Sequence, residues 1–425
     1  MTDALAGLLV IELATGLQGP AAAGFLADLG ADVIKVEPPE GDASRFHKGV
    51  NNFLPEATPG AQFIGGSRGK RSVSLDLHSE LGKEVVYRLA ERADVFVSNY
   101  REDALNRMGV GYEDIRSRNP KIVYAVANGF GPLGKEAGKG MVDGAAQARG
   151  GIISLLGDPS GPPTMMGFIF ADLAGAAQLA LGIMTALVAK GRLDIGQKVS
   201  TSAYGAQIWL LMWELVQSGL IGHSLTRQGP HHPNIPGGYG VYETAGGGSI
   251  FLAFAGTEES WQSFCTFAGM PEFGIDERWN SLQKRMGMGN DAEGKIASLI
   301  RAPLRTAFKS KPLEEWVEFF ESEPDIVYSR VFTYDDVLND PQAIANGYIV
   351  ERNIPHAGVR KVVGNPVTFS ETPVTVADAI PELGQHTEEV MLELEFDWDE
   401  ITRLNDGTRA ALRQKFIDLG QEPPF

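Results

Sequence analysis

Three groups of residues in this sequence have the types and spacing that chemistry needs. The first is Asp172, which follows the apolar run FIFA and precedes LAGAA. It reads as the start of a long helix running from Gly167 to about Lys190, where the helix dipole and free backbone donors stabilise a carboxylate. An N-terminal cap is the plain alternative, because Asp is a favoured capping type. The second is the loop Pro236-Gly237-Gly238-Tyr239-Gly240, whose glycines permit positive φ and close approach of backbone to a ligand. A turn between domains has the same composition. The third is a set of basic side chains, Lys70 and Arg71 in GKRS and Arg101 and Arg107 in YREDALNRMG. Such groups can meet an anionic ligand, although taken singly they are more often solvated surface charges. His231 and His232 lack further ligands at metal-like spacing and read as loop.

The elements that must position these residues belong to an ordinary soluble globular chain. Its 425 residues, 43% hydrophobic and 21% charged, suffice for more than one domain with a sizeable core. A net charge of −17 disfavours nucleic acid and anionic membranes as partners, so an anionic small ligand must be met by local clusters of donors. The single Cys265 cannot form an intramolecular disulfide, and MTDALAGLLVIEL lacks the features of a secretory signal, which predicts a cytoplasmic protein. The apolar stretch from Leu173 to Lys190 is interrupted by Gly and Gln and rich in Ala, suiting a buried helix better than a membrane span.

Along the chain, LLVIEL, GPAAAGFLADLG and ADVIKVE read as strand, helix and strand. SVSLDL, LGKEVVYRLAERA, DVFVSN, two short helices around DALNRMG and GYEDIRSRN, and KIVYAVANGF continue the alternation. A parallel sheet covered by helices on both faces follows. QKVSTSAYGAQIWLLMWELVQSGL adds a strand and a helix, closing a first region near residue 222. An irregular stretch from His223 to Gly248 leads into a smaller α+β region, with one strand in SIFLAFA and a helix in LEEWVEFFESE, as far as residue 333. Residues 334–425 hold an acidic helix start, two strands and a final helix.

Several segments in this order resemble the family III CoA transferases, whose best known member is formyl-CoA transferase. They are GPAAAGFLADLGADVIKVEPPEGD, GKRSVSLDL, VSNYREDALNRMG, the GF and DGAAQARGG stretch, ADLAGAAQLALGIMTAL and LGQHTEEV. The resemblance implies a Rossmann-like large domain built from residues 1–222 and 334–425, a small domain within 223–333, and a ring-shaped chain in an interlocked homodimer. Pairing with a paralogous subunit is the alternative assembly.

The resemblance makes Asp172 the nucleophile that takes an acyl group from a CoA thioester as an anhydride and passes CoA to a free carboxylic acid. CoA enters as substrate, with no permanently bound cofactor and no metal. Water would hydrolyse the anhydride, so the site must be enclosed, and Gly237 and Gly238 align with the family's glycine-rich lid. Carry-over assigns CoA contacts to Leu17, Gln18, Lys70, Arg71, Asn99, Tyr100, Arg101, Arg107 and Lys139, and places the family's acidic loop residue at Asp143. Pro38 and Gly140 stand where formyl-CoA transferase has an arginine and a lysine. His386, in LGQHT, reads as a turn or cap. Large side chains, Met165, Met166, Phe168, Trp209, Trp213 and Tyr239, hint at an apolar or aromatic acid as acceptor, although such residues are usually core.

Other readings stand beside this one. An α-methylacyl-CoA racemase needs a proton-transferring His immediately before the loop aspartate, where this chain has Val142. An intramolecular CoA transferase uses the same aspartate. An NAD-dependent dehydrogenase fits the first βαβ unit, but ATGLQGPAAAG lacks GxGxxG. A non-catalytic CoA-binding subunit is the fourth, and the presence of Asp172 weighs against it.

Overall fold

The computed structural model describes residues 3–49, 55–253, 256–288, 291, 294–374, 376–377 and 379–422. The chain forms two compact units, one of residues 1–150, 168–210 and 338–425, the other of residues 151–167 and 211–337.

The first unit is built on a parallel sheet of β1 (Leu9–Leu13), β2 (Asp32–Glu37), β3 (Arg71–Ser74), β4 (Val95–Ser98), β5 (Val123–Asn128) and β6 (Gln197–Ser202), in the order 3-2-1-4-5-6. Its strands are nearly continuous apolar runs because both faces are covered. Ile11, Ile34, Phe96 and Tyr124 point into one core with the Glu80–Arg92 helix. Val10, Val33, Val97 and Ala125 point into the other, under the Gln18–Asp28 and Ala171–Leu193 helices. Glu12 and Lys35 break the apolar pattern. They are register partners on β1 and β2, and both side chains are 0% exposed.

The Ala171–Leu193 helix is long and apolar enough to cross a membrane by length and composition. Here Ala176, Leu179, Ile183 and Ala186 pack it onto the sheet. Asp172 lies in its first turn, but Phe170 is the N-cap and no side chain of the cap bonds there, so the capping alternative does not describe this aspartate.

In the second unit, β7 (Gly240–Glu243), β8 (Ser249–Leu252) and β9 (Tyr328–Arg330) form an antiparallel sheet. Trp261, Phe264, Phe308, Trp316 and Phe320 make its aromatic core, with Cys265 buried among them.

Several boundaries differ from the sequence expectation. Residues 203–221 form two helices, Ala203–Leu210 and Met212–Ile221, and the second clusters with residues 211–337. The irregular stretch contains β7. The SIFLAFA strand is seen as Ser249–Leu252, with residues 254–255 outside the described residues. The single C-terminal helix is two, Thr387–Glu393 and Trp398–Asp418. Glu395 between them takes φ 64°, and Asp397 and Glu400 form a capping box that starts the second helix.

Candidate active site

Strand order reverses between β1 and β4, and in open α/β sheets ligands bind beyond the carboxyl ends of the strands at such a point. A cavity of about 580 Å³ opens there. Its lining includes Thr15–Gln18 after β1, Asn99–Asp103 after β4, Ala127–Gly129 around the end of β5, Lys139–Val142, Ala203 after β6, and Asp172.

The two central loops are clasped together. Asn99 Oδ1 accepts from the Thr15 amide at 2.9 Å and its Nδ2 donates to the Thr15 carbonyl at 2.7 Å. Ser98 Oγ donates to the Leu13 carbonyl and accepts from the Tyr100 amide. A Cβ at Gly19 would fall 2.7 Å from the Ala14 Cβ, so the turn into the Gln18–Asp28 helix needs glycine.

Beneath this loop lies a buried ionic cluster. Lys35 Nζ meets Glu12 at 2.7 Å, Asp42 at 2.8 Å and the Ala14 carbonyl at 2.9 Å. Lys70 Nζ meets Glu12 and the Pro20 carbonyl. Asp42 Oδ1 accepts from Thr15 Oγ1 and the Gly16 amide. Residues 14–20 are thus held at both ends by charge-assisted bonds. Burial pulls the Lys70 ammonium down to about 8 despite Glu12. Burial would raise Asp42, yet Lys35 and the Ser44 donors hold it at about 2.

Asp172 has the opposite surroundings. It is half-buried, no cation is among its partners in the described residues, and burial, reinforced by Asp143, pushes its carboxyl up to about 6. Asp143, 6% exposed, accepts from the Ala171 amide at 2.6 Å and the Asp172 amide at 3.2 Å, and Gln147 donates to its second oxygen at 2.6 Å. Asp143 therefore caps the helix from outside it and leaves the Asp172 carboxylate free for the cavity. Gln18 is 7% exposed and its Nε2 is buried without a hydrogen-bond partner. It lies against Gly175, where a Cβ would come within 2.1 Å of that nitrogen. An orphan donor of this kind, lining the same cavity as Asp172, suits a ligand oxygen.

Residues 5–387 match the sequence profile of CoA-transferase family III. The chain belongs to that family. A succinyl-CoA:mesaconate CoA-transferase of Haloarcula hispanica is 32% identical over 92% of this chain and 96% of its own. A formyl-CoA:oxalate CoA-transferase of Streptomyces coelicolor is 30% identical over 91% and 94%. A CAIB/BAIF family protein from Brucella suis has a crystal structure that superposes with a TM-score of 0.80 at 29% identity, covering 93% of this chain and all of its own. The protein is a CoA transferase, and the family uses CoA thioesters as substrates.

Of the site residues expected of a family III chain, the cavity brings together Leu17, Gln18, Asn99, Tyr100, Arg101, Lys139 and Asp172, with Asp143 bonded behind Asp172. Burial pushes the Tyr100 hydroxyl up to about 12. Three basic residues lie elsewhere. Lys70, 2% exposed, is consumed by the cluster with Glu12. Arg71 pairs with Asp32, Glu389 and Glu393, and Arg107 pairs with Asp103 at the surface. Gly237 and Gly238 lie in the second unit, where Arg301 Nε donates to one carbonyl and the Tyr242 hydroxyl to the other. Gly237 has φ +72°, and a Cβ there would meet the Arg285 carbonyl. His231 Nδ1 sits 3.0 Å from the Tyr239 carbonyl, and burial pulls its ring down to about 4. His386 stands at the N-cap position of the Thr387–Glu393 helix, and its ring accepts from the Ser72 amide on edge strand β3. Phe168 and Trp209 are exposed and do not line the Asp172 cavity.

The sequence predicts a C-terminal helix but gives it no place beside the site. Leu412, Phe416 and Leu419 form an i, i+4, i+7 stripe beside Pro38, Pro39 and Phe46 in a neighbouring apolar cleft of about 710 Å³ that shares Thr15 and Tyr100 with the first. The spacing of that stripe was the available signal.

Proposed function

We propose that the chain moves CoA from an acyl-CoA donor to a separate carboxylic acid through covalent intermediates on Asp172. The observation that carries this is a half-buried carboxylate, unpaired with any cation among the described residues and pushed up to about 6, lining a cavity at the sheet's switch point. Raised basicity strengthens the nucleophile, while roughly nine-tenths of it is ionised at pH 7.

An Asp172 oxygen attacks the thioester carbonyl carbon, the C–S bond breaks, and CoA leaves as thiolate, giving an acyl–aspartyl anhydride. The thiolate attacks the aspartyl carbonyl, freeing the donor acid and leaving an aspartyl thioester. The acceptor carboxylate displaces the thiolate to form a second anhydride, and the thiolate then takes the acceptor's acyl group, regenerating Asp172. Every step exchanges one anion for another, so no general base is required. Gln18 Nε2 donates to the oxygen on which negative charge develops. The apolar cleft between Pro38 and Phe416 takes the nucleotide end of CoA, with Arg101 and Lys139 meeting phosphates.

The assembly we propose is the interlocked homodimer of the family. Supporting it, the Met212–Ile221 helix has no buried residue although Trp213, Leu215, Val216 and Leu220 are among its exposed side chains. Light scattering of the purified chain should give twice its 45.8 kDa mass; a monomer would remove the assembly from the account. For the reaction, Asp172→Ala should bind CoA with an affinity close to that of the unaltered chain and lose transfer. An active Ala variant would remove the mechanism.

A further inference from the structure

CoA carries anionic groups at two separate places, the diphosphate in mid-chain and a phosphomonoester on the ribose of its nucleotide end. Arg101 and Lys139 line the Asp172 cavity, but neither lines the apolar cleft beside it. Lys415 is the one lysine or arginine among the described residues that line that cleft.

Two anchored elements present it. The Trp398–Asp418 helix buries Ile401 and Leu404 in the core of the first unit, and its last turns bring Leu412, Lys415, Phe416 and Leu419 to the cleft. Facing them is the turn that leaves β2. The Gly41 amide closes this turn onto the Pro38 carbonyl at 2.8 Å, and the Asp42 amide donates to Glu37 at 3.0 Å. The turn therefore holds Glu40 at the rim, where its carboxylate pairs with Lys415 Nζ. Lys415 is 49% exposed and Glu40 35%, and an ion pair so open to water contributes little to stability. It can part without disturbing the fold. Asp76 and Asp418 line an adjoining cleft of about 470 Å³ together with Lys415 and Glu40. Asp76 accepts from the His78 amide and Asp418 from Gln414. Three carboxylates thus line the two clefts that share this single ammonium, and without it a phosphate bound there would meet repulsion.

We propose that Lys415 is a specificity-determining residue: it leaves Glu40 to bind the ribose phosphomonoester of CoA, so that the enzyme distinguishes CoA from 3′-dephospho-CoA. This rests on the reading that the cleft between Pro38 and Phe416 takes the nucleotide end of CoA. A phosphomonoester carries close to two negative charges at pH 7 and three acceptor oxygens, against one charge and two oxygens on Glu40. The ammonium therefore exchanges a weak partner for a stronger one, and Glu40 turns to water.

Isothermal titration of the full chain with CoA and with 3′-dephospho-CoA tests this, since the two ligands differ only in that phosphate. The unaltered chain should bind CoA at least ten-fold more tightly, the gain of about one charge-assisted bond. In Lys415→Gln the preference should vanish or invert, because the phosphate then faces carboxylates alone. Glu40→Gln should tighten CoA about two- to five-fold and leave 3′-dephospho-CoA unchanged, because the ammonium no longer gives up a partner. Both side chains are at the surface, so both variants should keep the Tm of the unaltered chain within about 2 °C. Phe416→Ala tests the underlying reading separately: it removes an apolar wall and should weaken both ligands alike, by about five-fold or more. If Phe416→Ala binds both as the unaltered chain does, the cleft does not hold the nucleotide, and reading and inference fall together. If Phe416→Ala weakens both, but the unaltered chain shows no preference or Lys415→Gln keeps it, the inference alone is overturned. An unchanged CoA affinity in Glu40→Gln overturns the exchange of partners.

Discussion

The first unit holds two groups of acidic side chains, one buried and one around the half-buried Asp172, and they are treated in opposite ways. Glu12, Glu37 and Asp42 each meet a buried cation, and Asp42 together with the Lys35 and Lys70 that Glu12 pairs fixes the backbone of residues 14–20. Burial would raise Glu37, but Arg45 and Lys35 hold it below its ordinary value. Asp172 meets no cation among the described residues, and its one charged neighbour, Asp143, repels it. The difference separates scaffold from chemistry: a paired carboxylate holds a loop, whereas one left unpaired stays basic enough to attack an acyl carbon.

The contrast can be broken by substitution. Asp172→Ala should lower kcat by on the order of 10⁴ or more, as nucleophile removal does in acyl-transfer enzymes. Asp172→Asn should leave folding intact or strengthen it by on the order of 1 kcal/mol, because a desolvated, repelled charge disappears. Glu12→Gln should do the reverse. It leaves the Lys35 and Lys70 ammonium groups buried together without their shared partner, and should lower unfolding stability by about 3–5 kcal/mol in denaturant titrations.

The contrast can also be sharpened with pH. Transfer should fall about ten-fold per pH unit below Asp172's value of about 6 as the carboxylate is protonated. The effect on stability has the opposite sign in the two clusters. Asp172 is raised when folded, so protonating it between pH 6 and the ordinary aspartate value of 3.8 adds stability. Asp42 is lowered when folded, so its contribution is present above 3.8 and is lost as pH falls towards 2. The smallest effect belongs to Asp143→Asn, which removes the repulsion and should move the acid limb of the rate profile to lower pH, by up to about one unit. An unmoved limb would mean that burial alone sets the value.

Much of this fold was legible because its signals are local. The apolar runs of β1, β2, β4 and β5 and the amphipathic LGKEVVYRLAERA stand where period and composition put them, since strands buried on both faces must be apolar throughout. What was hidden depends on residues far apart in the chain. Lys70 looks like a surface cation until Glu12, 58 residues earlier, is placed beside it. Asp172 looks like a cap until Asp143, 28 residues before Ala171, takes the helix amides instead. In the DAL and YED helices and in the second unit, short elements were found or missed according to whether they carried a periodic stripe. β7 has only four residues, two of them buried, too few for alternation to show.

The most direct test of the central claim is to mix the enzyme with an acyl-CoA donor, reduce it at once with borohydride, and sequence the peptide around residue 172 by mass spectrometry. Reduction of an acyl–aspartyl anhydride or aspartyl thioester converts that side chain to the alcohol, a loss of about 14 Da from a carboxylic acid, dependent on donor and absent in Asp172→Asn. Full turnover with an unmodified Asp172, or with the mark on another carboxylate, would contradict the account.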